Sequence, residues 1–117
     1  MEQQYVSYIR EQLHAVLGID SPSGCTEEVQ QYLCDTLRAM GYAPRRLVKG
    51  GVHVTLGGEG EPLTLLAHAD TLGAVVQYIK PNGRLAISNM TLNVHNAEAE
   101  NVKVITRFNG AYEGTLQ

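Results

Sequence analysis

Two residues of this chain have the types and the spacing for chemistry at a metal: His68 and Asp70, within Pro62-Leu63-Thr64-Leu65-Leu66-Ala67-His68-Ala69-Asp70-Thr71-Leu72-Gly73. In extended backbone, residues two apart point to the same side, so the imidazole and the carboxylate face one region while Ala69 turns away. A metal-bound imidazole needs its second ring nitrogen held by a carboxylate or a carbonyl. Asp70 could hold His68 in this way, or could itself approach a metal or its water. The plainer alternative is a strand-end histidine followed by a turn or cap carboxylate, because His-x-Asp is a short and common pattern. These residues alone leave both readings open.

The segment before His68 bears on that choice. Leu63, Leu65, Leu66 and Ala67 make a short run that is apolar on both faces, with no room for a helix before Gly73. Such a run predicts a strand buried inside an α/β sheet. His68 and Asp70 would then sit at its carboxyl end, where open α/β sheets bind their ligands.

Upstream, Val6, Ile9, Leu13, Val16 and Leu17 recur at helical spacing, predicting a helix over 3–17 that stops at Gly18, with His14 at its surface. Asp20-Ser21-Pro22-Ser23-Gly24 reads as a loop in which Ser23 or Gly24 caps a second helix. Glu27 and Glu28 fall in its first turn, Val29, Leu33, Leu37 and Met40 form its buried face, and Gly41 ends it. Arg45 and Arg46 read as a solvated strand edge. Val52–Leu56 alternates as a strand, with His53 outward.

After Gly73 the character changes. Residues 74–80 and 84–88 read as strands about Pro81-Asn82-Gly83, Asn-Gly being the strongest short hairpin signal. Residues 89–101 are polar and irregular, and 102–108 and 111–117 read as strands about Asn109-Gly110. No helical period appears beyond Gly73. The predicted division is an α/β part over 1–72 and a β-rich part over 73–117. A single buried strand and a last strand running into the terminus predict that these 117 residues are a fragment, or the first part of a discontinuous domain.

Composition narrows the classes. Nine basic against twelve acidic residues, a formal net charge of −3 with both signs scattered, predicts no nucleic-acid surface. No apolar run approaches the roughly 20 residues a membrane span needs. Met1-Glu2-Gln3-Gln4 has no basic region or cleavage signal, which predicts a cytoplasmic protein. Cys25 and Cys34, read as lying on one helix, would be about 13 Å apart along it, too far for a disulfide. Asp20, and His95 with Glu98 and Glu100, are further possible ligands, each in a polar loop and expected to be solvated. A hydrolytic metal site needs several protein donors and an open position. This stretch offers one convincing donor, His68.

Taken together, Asp20-Ser21-Pro22-Ser23-Gly24, Ala67-His68-Ala69-Asp70-Thr71-Leu72-Gly73-Ala74-Val75-Val76 and Asn96-Ala97-Glu98-Ala99-Glu100-Asn101 resemble the glutamyl aminopeptidase family. That family includes the tetrahedral (TET) peptidases, and some members carry an older endoglucanase label. The resemblance runs over the whole sequence as an N-terminal portion. It implies a di-zinc α/β peptidase domain interrupted by a small β-rich, barrel-like dimerisation domain. It implies His68 as the first metal ligand and Asp70 as the catalytic carboxylate that orients it. Thr71 stands where family members often have Glu. The implied cofactors are two divalent ions, Zn or Co, only one of them partly liganded here. The implied reaction is metal-assisted removal of N-terminal residues from short peptides with a glutamate as base. The remaining ligands and that base would come from later in the chain, so the 117 residues alone should be inactive. The implied partners are a small peptide substrate and further copies of the same chain, as a dimer-based homo-oligomer extending to a dodecamer. Two readings compete: a non-catalytic β-rich self-association module in which His68 is vestigial, and a metal-dependent hydrolase of N-acyl amino acids or other amides.

Overall fold

The computed structural model describes residues 2–89, 91–108 and 110–117. Asn109, half of the second expected turn, therefore lies outside the described residues, as do Met1 and Met90. The chain divides into two units, one ending at Thr71 and the other running from Leu72 to Gln117. The elements mix helices with small antiparallel sheets.

The first unit opens with α1 (Glu2–Leu17), followed by α2 (Glu27–Ala39). Both follow the apolar spacing. Gly41 ends the second at φ +89°, a left-handed turn that a side chain resists. The cap differs from expectation. Thr26 is the N-cap, without a side-chain cap bond, and Ser23 is engaged elsewhere. Cys25 consequently precedes α2 and is exposed, whereas Cys34 is buried within it; both are free thiols.

The buried side of α2 carries Val29, fully enclosed, and Cys34, with Leu33 and Leu37 half-buried. Met40, expected on that face, is exposed at the C-cap. Against α2 lie β1 (Arg45–Arg46) and β2 (Val52–His53), a short antiparallel pair. Arg46 is not a free edge: its guanidinium donates to the Glu27 carbonyl at 3.2 Å and to Gln31 Oε1 at 2.9 Å. His53 is exposed, and its Nδ1 accepts from Arg45 Nε at 3.2 Å. One tie between the helices is the Tyr32 hydroxyl, which donates to Gln12 at 2.8 Å.

The run 62–68 is the chief correction. It forms no strand, and Leu63, Leu65 and Leu66 are 86, 81 and 92% exposed. An apolar strand is buried only when strands pair along its edges and layers cover its faces, and no described residue does either for this run. The α1 stripe is in the same condition, with Val6, Ile9, Leu13 and Leu17 exposed.

The second unit is two hairpins. β3 (Ala74–Ile79) pairs with β4 (Leu85–Asn89), with a register shift between Val76 and Tyr78. Gly83 at φ +82° makes the turn, as Asn-Gly predicts. β5 (Asn101–Ile105) pairs with β6 (Ala111–Thr115), Lys103 opposite Glu113. Both strands are shorter than predicted; β5 stops at Ile105, where the Thr106 N–H bonds to the Gly110 carbonyl at 2.8 Å across the turn, and β6 stops at Thr115. A short helix, α3 (Val94–Ala97), also appears where no helical period was read; Asn93 caps it by accepting from the His95 N–H. Four residues are too few to show a period. The two hairpins form separate two-stranded sheets, so no closed barrel exists among the described residues.

Candidate metal centre

His68 and Asp70 meet as their spacing requires, but on an extended segment rather than at a sheet's rim. His68 Nδ1 lies 3.0 Å from the Asp70 carbonyl oxygen and 3.2 Å from Asp70 Oδ1. Both oxygens only accept, so the proton of the neutral ring belongs on Nδ1. That leaves the Nε2 lone pair directed away from Asp70. The His68 side chain is 86% exposed, and Nε2 has no hydrogen bond among the described residues.

Asp70 is held from its other side. The Ser23 hydroxyl donates to Asp70 Oδ2 at 2.5 Å. This bond, and after it the His68 ring, keeps the carboxyl below its ordinary value of 3.8 against a smaller opposing effect of burial. The backbone beneath is clamped as well. The hydroxyl of Ser21, itself 1% exposed, donates to the Ala69 carbonyl at 2.9 Å. The Thr71 N–H returns to the Ser21 carbonyl at 2.8 Å, and Pro22 forms an isolated parallel bridge with Thr71. The loop between the helices is thus sewn onto residues 69–71, nearly fifty positions later.

Sequence reasoning missed this role for Ser21 and Ser23. The available signal was two hydroxyls flanking a proline in a loop, of which the local pattern assigns only Ser23, or Gly24, as a helix cap. The other candidate carboxylates join no site. Among the described residues, no group of three or more His, Cys, Asp or Glu comes together. An imidazole with a free Nε2, backed by a carboxylate on Nδ1, has the donor chemistry of one corner of a hydrolytic zinc site and not of a whole one. Nor is any helix among the described residues long and apolar enough to cross a membrane.

The M42 glutamyl aminopeptidase family model matches residues 50–117, which include His68 and Asp70. A Bacillus subtilis (strain 168) protein described as "Putative aminopeptidase YhfE" is 35% identical over 109 residues, or 91% of this chain. The chain spans 32% of that relative's length.

Proposed function

The chain belongs to the M42 glutamyl aminopeptidase family, and on that premise we propose that it is the N-terminal part of a metal-dependent aminopeptidase acting on short peptides. The observation that carries this is the direction of the His68 ring. Nδ1 faces two oxygens of Asp70, so Nε2 is the donor offered to a divalent cation, zinc or cobalt. Asp70 keeps the ring in that tautomer and presents a carboxylate beside the ligand. The cation, when bound, supplies Lewis-acid polarisation of the scissile carbonyl and a more acidic water. His68 binds, Asp70 orients, and the serine loop fixes both. The remaining ligands of both cations and the general base would, in this reading, come from outside these 117 residues.

The second unit would serve self-association. β3 exposes Val75, Val76, Tyr78 and Ile79, and among the described residues neither hairpin is joined by a third strand, which are features of a surface made to be covered.

The test is His68→Ala in the full-length protein. Elemental analysis should show the loss of one metal ion per subunit. Hydrolysis of an aminoacyl p-nitroanilide should fall by more than the roughly 10- to 100-fold typical of outer-shell partners. Unchanged metal content would remove His68 from the ligand set.

A further inference from the structure

We propose that Ser23 is a positioning residue for the metal ligand, its hydroxyl holding the Asp70 carboxylate in the orientation that keeps the proton on His68 Nδ1 and the lone pair on Nε2. This builds on His68 as a ligand and adds a residue from a separate loop.

The geometry is a relay of two hydrogen bonds through opposite oxygens of one carboxylate. Ser23 Oγ donates to Oδ2, and Oδ1 lies 3.2 Å from His68 Nδ1. Asp70 is 40% exposed, so without Ser23 its carboxylate is free to rotate toward water. Nδ1 would then keep only the Asp70 carbonyl, at 3.0 Å. A free imidazole in water favours the proton on Nε2, and each lost acceptor at Nδ1 moves the ring back toward that form, which cannot bind a cation through Nε2.

Ser23 can do this because its own position is fixed. Ser21 and Pro22, the two residues before it, are bonded to residues 69–71. Gly24 follows at φ +88°, where a side chain would be strained, and the turn closes with the Cys25 N–H on the Pro22 carbonyl at 2.8 Å. The two serines divide the work. Ser21 holds the backbone of the site, and Ser23 holds its reactive carboxylate.

The experiment uses the full-length protein with Ser23→Ala, Ser23→Thr and Ser21→Ala. Ring-nitrogen NMR shifts of His68 are read in the metal-free protein, well above the imidazole titration range. Zinc affinity is read by chelator competition. Ser23→Ala should move the His68 proton toward Nε2 and weaken zinc about tenfold, the lower end for an outer-shell partner. Ser23→Thr, which keeps the hydroxyl, should restore both. Ser23→Cys, similar in volume but a weak donor, should act in the same direction as alanine and serves if alanine does not fold. Ser21→Ala should lower Tm while the proton stays on Nδ1. Wild-type ring shifts and zinc affinity in Ser23→Ala overturn the proposal, as does an equal ring shift in Ser21→Ala. A moved proton with unchanged zinc affinity, alongside a His68→Ala protein that keeps its metal, upholds the relay and overturns the ligand assignment.

Discussion

At the scale of single residues, the chemistry depends on which oxygen faces which nitrogen. His68 Nδ1 has two acceptors within 3.2 Å, both from Asp70, and its Nε2 is turned outward. Asp70→Asn tests this arrangement because an amide can present N–H where the carboxylate presented oxygen. An N–H facing Nδ1 would drive the ring proton to Nε2 and occupy the donor atom. Zinc affinity of the full-length Asp70→Asn protein, read by chelator competition, should fall by roughly 10- to 100-fold. The pair itself was legible in the sequence, because a spacing of two in extended backbone fixes a common side. Ser23 was not. Its partner lies 47 positions away, and nothing local separates a serine that caps a helix from one that crosses to another loop.

At the scale of elements, what was legible depended on how local the cause was. The helices follow from apolar spacing, and the first hairpin from Asn82-Gly83 and its flanking strands. The run at 62–68 was misread as a buried strand. Composition fixes what a segment needs around it, not whether the neighbours are present, and no described strand pairs with it. Energetics should separate these elements. Val29 on α2 is fully enclosed, so Val29→Ala removes buried methyl groups and leaves a cavity, at about 2 kcal/mol. Leu66→Ala, at a residue 92% exposed, should stay within about 0.5 kcal/mol in the 117-residue chain. Urea unfolding of the two variants reads both values. Equal losses would mean that Leu66 is packed in solution.

At the scale of the whole molecule, the chain is two units, and the candidate site lies within the first. The first builds the His68–Asp70 pair and its serine clamp, and the second holds two hairpins, each a separate two-stranded sheet among the described residues. Large apolar residues stay exposed on α1, on 62–68 and on β3, where a contiguous apolar patch marks a surface for contact. The chain spans 32% of the length of the Bacillus subtilis relative it matches. The central claim is that His68 gives Nε2 to a divalent cation while Asp70 holds Nδ1. Anomalous diffraction at the zinc edge from crystals of the full-length protein tests it most directly. The expected result is a zinc peak about 2.1 Å from His68 Nε2, with the Asp70 carboxylate on Nδ1. A peak on Nδ1, or zinc bound with His68 outside its coordination sphere, would contradict the account.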